Sequence, residues 1–251
     1  MKTKSLYIYG RQPIKEILET QPKNIYRIYI KETAQSEFFQ DIIDKARQSR
    51  IIIQKVPDKK LTELVGDVND QGIVASIREF IYTDLHEWLG SLSLKKNPAI
   101  MLLDEIEDPH NVGAIIRSAA AFGMSAVLLP SHRQAGITST VFKTSAGAVA
   151  KIPVIQIGNI NQTVDLLKEK GFWIAGLSGE ETAQKLWATT FDAPFVFVIG
   201  GEGKGIREKT KERCDFLIQI PIHPEIESLN ASVAAGVAGY EWKRQQKTKG
   251  K

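Results

Sequence analysis

The second half of the chain alternates strand-like and helix-like segments, and this alternation restricts the fold more than any other feature. The run 99–103 is apolar throughout and is bounded by a proline and an aspartate, as expected of a strand covered on both faces. A helix predicted over 112–122 ends at Gly123. The pattern continues with strands over 126–129, 152–156, 172–176, 195–199 and 216–220 and helices over 162–170, 206–213 and 231–245. We therefore predict a parallel α/β sheet, whose ligands should bind beyond the carboxyl ends of its strands.

The first part of the chain predicts a smaller domain. Strand-like segments lie at 6–9, 25–30, 51–53 and 72–77, and helix-like segments begin near Pro13 and cover 37–48. This order is typical of a small α/β/α domain. Between the two blocks, the sequence has no strong strand pattern and should form a short helix and a linker. We predict a first domain over 1–78, a linker over 79–97 and a second domain over 98–251.

Composition excludes several classes of protein. Of the 251 residues, 43% are hydrophobic and 25% are charged, which is typical of a globular protein rather than a disordered or fibrous one. No apolar run approaches the roughly 18 residues that a membrane helix needs. The amino-terminal residues lead into a strand-like segment rather than an export signal, so we expect a cytoplasmic location. A single cysteine, Cys214, excludes an internal disulfide, and four scattered histidines do not suggest a metal site.

Net charge is compatible with a polyanionic partner but does not establish one. The formal charge is +4, and many basic proteins bind no nucleic acid. Five positive residues fall within the last nine positions: Lys243, Arg244, Lys247, Lys249 and Lys251. This cluster is more typical of a solvated helix end than of a dedicated RNA contact.

Three loops that follow predicted strands carry most of the polar residues of interest. They cover 104–117, 200–205 and 221–232. Taken singly, each has a purely structural interpretation: Asn111 could cap a helix, Arg117 could be an exposed helix charge, and the glycines could make a tight turn.

The glycine loop, residues 200–205, does not match the familiar nucleotide-binding patterns. Gly205 follows Lys204 where a P-loop has Ser or Thr, and Glu208 occupies the place of the last glycine of a dinucleotide-binding motif. A carboxylate between glycines at a helix start instead suits a ligand with hydroxyls, amines or positive charge.

Together the three loops resemble the three motifs of the SpoU (TrmH-like) RNA ribose 2′-O-methyltransferases of the SPOUT class. The matching segments are 108–113 with Arg117, then 199–203, then 220–221 with 228–230 and 232–234. Each segment follows a predicted strand, and the three occur in the family's order. The segments 9–14 and 71–75 are similar to the auxiliary, L30e-like domain of the branch that acts on ribosomal RNA, and the closest resemblance is to the 23S rRNA guanosine-2′-O-methyltransferases.

The resemblance implies that 1–78 is an auxiliary RNA substrate-binding domain and that 98–251 is the catalytic domain. It also implies a homodimer, a trefoil knot near the carboxyl end of the catalytic domain and S-adenosylmethionine bound in that knot. A run of small residues in the last helix would allow close packing at a twofold interface: Ala234, Ala235, Gly236, Ala238 and Gly239. The implied cofactor-binding residues are Leu177, Ser178, Gly179, Gly200, Gly201, Glu202, Ile220, Ile222, Leu229 and Asn230. Because Gly200 and Gly201 have no side chains to pack, we interpret them as sites where the ligand approaches the backbone closely.

The implied catalytic residues are Asn111, Arg117, Glu202, Ser228 and Asn230. The family's usual proposal makes the residue at the position of Arg117 the base or activator. A guanidinium keeps its proton up to a pH of about 12 or more. We therefore expect Arg117 to orient the ribose hydroxyl and its neighbouring phosphate, with phosphate, water or a carboxylate left open as proton acceptor.

The sequence departs from the family pattern after the Ile-Pro step. Relatives of this branch have a methionine and a glycine where this chain has Ile222 and Pro224. Proline restricts the backbone that would wrap the cofactor, which leaves the contacts of residues 222–227 open.

Two classes of function fit these observations. The first is an enzyme that methylates RNA, with 23S ribosomal RNA preferred and transfer RNA as the alternative substrate. The second is a noncatalytic RNA-binding or ribosome-assembly factor with the same fold. The five intact polar residues favour the enzyme, because a binding module has no need of all of them.

Overall fold

The computed structural model describes residues 5–34 and 36–248, so Lys249 and Lys251 of the basic tail lie outside the described residues. The strands are β1 (Leu6–Tyr9), β2 (Ile25–Lys31), β3 (Ile52–Val56), β4 (Ile73–Ile77), β5 (Ala99–Asp104), β6 (Ala126–Pro130), β7 (Val154–Ile157), β8 (Trp173–Leu177), β9 (Gln184–Lys185), β10 (Phe195–Gly200) and β11 (Phe216–Gln219). The helices are α1 (Arg11–Thr20), α2 (Gln40–Gln48), α3 (Asp58–Val65), α4 (Leu85–Ser91), α5 (Pro109–Phe122), α6 (Ser139–Thr144), α7 (Ile160–Glu169), α8 (Glu208–Lys211) and α9 (Ala231–Thr248).

The chain divides into two compact units, each with its own sheet. The first unit runs to Ile81 and includes the segment Ile137–Lys151; the second comprises Tyr82–Gly136 and the chain from Ile152 onward. The sheet of the first unit has the order β1-β4-β2-β3. In it β4 is antiparallel to both β1 and β2, and β3 is parallel to β2. Leu61 of α3 is fully buried against a cluster that contains Tyr9, Val56 and Val74.

The segment Ile137–Lys151 packs within the first unit although it is remote in sequence. Phe142 of α6 is buried, and a Cβ placed on Gly147 would lie 2.6 Å from the side chain of Glu16. Lys151 forms an ion pair with Glu16 at 2.5 Å. The packing therefore differs from the division at 1–78, 79–97 and 98–251, because contacts with α1 and β1 hold this segment in the first unit. The roles assigned to the domains stay predictions.

The second unit contains a seven-stranded sheet in which every pair of neighbouring strands is parallel. Its order is β7-β6-β5-β10-β8-β11-β9. All six residues of β5 are buried, as expected of a strand covered on both faces. The predicted parallel α/β sheet is confirmed.

Helix α5 ends where the sequence predicts, but it begins at Pro109, three residues before the predicted start at 112. The side chain of Asp108 accepts a hydrogen bond from the backbone N–H of His110 at 2.9 Å, so the N-cap is Asp108 and the interpretation of Asn111 as the cap is wrong. Gly123 ends the helix in the left-handed conformation, with φ of 73°.

The small residues of α9 pack against the fold's own interior. Ala235 and Ala238 are fully buried, and a Cβ on Gly239 would meet the ring of Phe122 at 2.8 Å. Their small size is therefore explained by the packing of α9 within its own unit. Among the described residues, no helix is both long and apolar enough to cross a lipid bilayer.

Candidate active site

A large cavity lies beyond the carboxyl ends of β8, β10 and β11. Its volume is about 1130 Å³, slightly above the range of about 300–1,000 Å³ that is usual for small-molecule sites. All ten residues predicted to hold the cofactor line it: Leu177, Ser178, Gly179, Gly200, Gly201, Glu202, Ile220, Ile222, Leu229 and Asn230. Ser228 and Pro224 line it as well. The structure thus brings these residues to one place, while their roles stay predictions.

The two ends of the glycine loop lie in close contact with each other. A Cβ on Gly200 would lie 2.0 Å from the carbonyl carbon of Gly205 and 2.2 Å from the backbone nitrogen of Ile206. A Cβ on Gly201 would lie 2.6 Å from the carbonyl oxygen of Glu105. Close approach of the protein's own backbone therefore accounts for both glycines, whereas the sequence suggested close approach of a ligand.

Three polar side chains from the three loops form one hydrogen-bonded cluster. The Asn111 Nδ2 donates to Glu202 Oε1 at 2.9 Å, and the Asn230 Nδ2 donates to the same oxygen at 2.6 Å. The Asn230 Nδ2 also donates to Asn111 Oδ1 at 2.9 Å. Asn111 is buried, and Glu202 and Asn230 are exposed at the cavity. The two amides therefore hold the carboxylate of Glu202 at one oxygen.

Asn230 also starts helix α9. Its Oδ1 accepts hydrogen bonds from the backbone N–H of Ser232 at 2.9 Å and of Val233 at 3.4 Å, and from the Ser232 hydroxyl at 2.6 Å. This is the geometry of a helix N-cap. One side chain therefore fixes both the helix and the cluster at Glu202.

Arg117 lies apart from the cluster. It is exposed on α5 and does not line the cavity. Within the described ranges, its guanidinium makes no hydrogen bond or ion pair with another side chain. It is the one predicted catalytic residue that, in the described part of the chain, neither lines the cavity nor forms a hydrogen bond with a residue that lines it.

The far wall of the cavity comes from residues that the sequence did not single out. Lys211 pairs with Glu180 at 2.7 Å and with Glu208 at 3.2 Å. The hydrogen bond from the ammonium to Glu180 raises the pKa of Lys211. Lys185 of β9 hydrogen-bonds the side chain of Gln219. A two-residue strand has no periodicity, so only the rule that ligands bind at strand ends could have indicated this wall.

Cys214 is not a candidate nucleophile. Burial raises the pKa of its thiol to about 12, and the thiolate is the reactive form. Among the described residues, no group of three or more His, Cys, Asp or Glu side chains is arranged to hold a metal ion.

Comparison with protein families matches both parts of the chain. Residues 98–240 match the SpoU rRNA methylase family, and residues 7–83 match the family described as RNA 2′-O ribose methyltransferase substrate binding. The chain belongs to the SpoU rRNA methylase family. Enzymes of this family use S-adenosylmethionine as methyl donor, so the protein is an S-adenosylmethionine-dependent RNA methyltransferase.

Full-length relatives support the family assignment. The chain is 39% identical over 241 residues to the 23S rRNA (guanosine-2′-O-)-methyltransferase RlmB of Coxiella burnetii, with 95% of each protein covered. It is 37% identical over 243 residues to YacO of Bacillus subtilis, whose name gives a TrmH family tRNA/rRNA methyltransferase, with 96% of each covered.

The SpoU methyltransferase AviRb of Streptomyces viridochromogenes, solved in complex with AdoMet, shares the fold. It superposes with a TM-score of 0.80 at 21% identity, over 97% of this chain and 91% of that one.

Proposed function

We propose that this RNA methyltransferase acts in the cytoplasm as a homodimer on a ribose 2′-hydroxyl of 23S ribosomal RNA. The observation that carries the proposal is the cluster of Asn111, Glu202 and Asn230 at the edge of the cavity, because it joins all three loops that resemble the family motifs. The relative from Coxiella burnetii, which is named for 23S rRNA, favours this RNA as substrate. The match of residues 7–83 to a substrate-binding family favours an RNA-recruiting role for the first unit.

The cavity suits S-adenosylmethionine in size and in the chemistry of its lining. Apolar side chains, including Leu177, Ile220 and Leu229, offer a surface for an adenine ring. The exposed carboxylate of Glu202 suits a cationic group. Ser178 and the backbone of Gly179 add hydrogen-bonding groups to the lining. The cofactor supplies an activated methyl group on a positively charged sulfur.

The protein's own residues have to position the ribose hydroxyl and allow it to lose a proton. Positioning of two reactants contributes about 7–11 kcal/mol to a reaction of this kind. Glu202, which the two amides hold, and Ser228 line the cavity, and this position supports a role for them in holding the methionine end or the nucleotide. Arg117 has five N–H donors and a permanent charge, which suits it to orient the hydroxyl and the adjacent phosphate. Phosphate, water or a carboxylate then receives the proton.

The homodimer is supported by an apolar stripe on α9. Val233, Val237 and Tyr240 are exposed large side chains, and their spacing of four and three residues places them on one face of the helix. A twofold interface would cover this face.

A charge on the stripe should separate the subunits. We expect Val237→Glu to give a monomer in light scattering at micromolar concentration, and Val68→Glu, at an equally exposed valine of the first unit (each 38% exposed), to leave the dimer intact. A wild-type chain that is monomeric and active would contradict the dimer.

Mapping of ribose methylation identifies the substrate. In a strain that lacks the gene, one 2′-O-methyl group of 23S rRNA should disappear and should return with the wild-type gene but not with the Glu202→Gln variant. Loss of a methyl group from tRNA alone would replace rRNA by tRNA as the substrate. Unchanged methylation of both RNAs would contradict the proposal.

A further inference from the structure

Asp104, the last residue of β5, contacts both ends of the glycine loop. Its backbone carbonyl accepts a hydrogen bond from the N–H of Gly201 at 3.1 Å. Its carboxylate accepts one from the backbone N–H of Arg207 at 3.1 Å and one from the Arg207 Nε at 2.6 Å. The loop between these anchors carries Glu202. One residue therefore fixes where the loop leaves the sheet and where it returns.

The carboxylate of Asp104 is completely buried, and its partner is not. Its side chain has 0% exposure, against 45% for the side chain of Arg207. A buried carboxylate is costly unless it is paired and hydrogen-bonded, and Arg207 supplies both the charge and two donors. A planar guanidinium fixes direction as well as charge, which an ammonium does not. The pair is thus suited to define the geometry of the loop.

Glu105 extends the same contact. The Arg207 Nη1 donates to Glu105 Oε1 at 3.1 Å, and Arg133 approaches that oxygen at 3.6 Å. Glu105 has a φ of 59°, a left-handed conformation that is uncommon outside glycine. Its carbonyl oxygen lies so close to Gly201 that a Cβ at that position would be only 2.6 Å away. The strained turn after β5 and the glycine loop are therefore held against each other by Arg207.

We propose that Arg207 and Asp104 are positioning residues, which hold the glycine loop so that Glu202 meets the amides of Asn111 and Asn230 and so set the affinity of the cavity for the cofactor. Neither of the two residues lines the cavity, so they act through Glu202. The proposal rests on the assignment of the cavity to S-adenosylmethionine, but it does not depend on which RNA is methylated.

The test is calorimetric titration of the purified full-length protein with S-adenosylhomocysteine, without RNA. We expect Arg207→Ala to weaken binding by about tenfold or more and Arg207→Lys to restore part of it, because lysine keeps the charge but loses the fork of donors. Lys168→Ala is the matched control. Lys168 pairs with Asp215 at 2.7 Å, and Asp215 likewise accepts a backbone N–H, that of Ile174, at 2.8 Å, but neither residue lines the cavity. This control should bind the probe as the wild type does.

A double-variant cycle separates positioning from general stability. If Arg207 acts through Glu202, the affinity of Arg207→Ala/Glu202→Gln should lie within about threefold of the weaker single variant, because the second change removes nothing further. If the double variant instead loses affinity by the product of the two single-variant factors, the proposal is overturned. An Arg207→Ala protein that melts at a lower temperature but binds the probe with unchanged affinity would overturn it as well.

A failure of the proposed function can be distinguished from a failure of the proposal for Arg207 and Asp104. If the wild type binds the probe but 23S rRNA is not its substrate, the titrations still decide the role of Arg207. A wild type that binds no probe would remove the cofactor site and this proposal with it.

Discussion

Substitution of Asn230 should separate its contribution to stability from its contribution to the site. In Asn230→Ala, helix α9 loses the acceptor that receives the N–H groups of Ser232 and Val233. Loss of a cap costs about 1 kcal/mol, which lowers the melting temperature of a chain of this size by about 2–4 °C. Asn230→Ser keeps an oxygen in capping position, so its melting temperature should lie about 2–4 °C above that of Asn230→Ala.

Both substitutions remove the Nδ2 that donates to Glu202 and to Asn111. Hydrogen bonds to charged groups contribute about 1.5–3 kcal/mol. Asn230 and Glu202 are exposed, so we take the lower end, which is about a tenfold loss of affinity.

The assay pairs thermal unfolding with calorimetric titration of S-adenosylhomocysteine for the wild type and both variants. Both variants should lose affinity, and the alanine variant, which lacks the cap as well, should melt at the lower temperature. Wild-type affinity in Asn230→Ser would refute the role of the amide, and an unchanged melting temperature in Asn230→Ala would refute the role of the cap.

Three further changes test other parts of the structure. Gly200→Ala places a Cβ against backbone atoms at 2.0–2.3 Å and should destabilise the protein by about 1–3 kcal/mol. The control is Gly179→Ala, whose Cβ meets nothing within 4 Å, so its melting temperature should equal that of the wild type. Equal melting temperatures of the two variants would contradict this account. Arg117→Ala should lower the rate of tritiated methyl transfer at saturating RNA by about a hundredfold or more, while the affinity for S-adenosylhomocysteine stays constant. Near-normal turnover would remove Arg117 from the mechanism. Because the pKa of the Cys214 thiol is raised from 9.0 to about 12, its reaction with a disulfide reagent at pH 8 should be about a thousandfold slower in the folded protein than in urea, and equal rates would show that the thiol is not buried.

The sequence predicted the sheet well because its signals are local. An apolar run such as 99–103 identifies a central strand by itself, and Gly123 ends α5 where the pattern indicated. Helix α6 was missed because it has only six residues and its burial depends on strands more than a hundred positions away. The predicted site residues gathered at the cavity because parallel strands end at one edge. The contacts among them join positions as far as 119 apart, which no spacing rule provides.

The link between Asp104 and Arg207 could not be derived from the sequence either. Both residues lie in or next to the loops that the strand and helix pattern indicated as the site. The sequence did not show, however, which basic side chain would pair with which carboxylate. The sequence also did not show that the protein's own backbone approaches Gly200 and Gly201. A glycine indicates that something approaches closely, and only the coordinates show that it is the neighbouring backbone.

The placement of Ile137–Lys151 in the first unit has a consequence for recombination between relatives. If residues 1–81 alone were exchanged for those of a relative, helix α1 would come from the donor and Lys151 from the original chain. Lys151 would then lose its ion pair wherever the donor has no carboxylate at position 16. Gly147 would meet whatever side chain the donor carries at position 16. A functional chimera must therefore carry both stretches from one parent. Over evolution, the residues at positions 16 and 151 should change together, although 135 positions separate them.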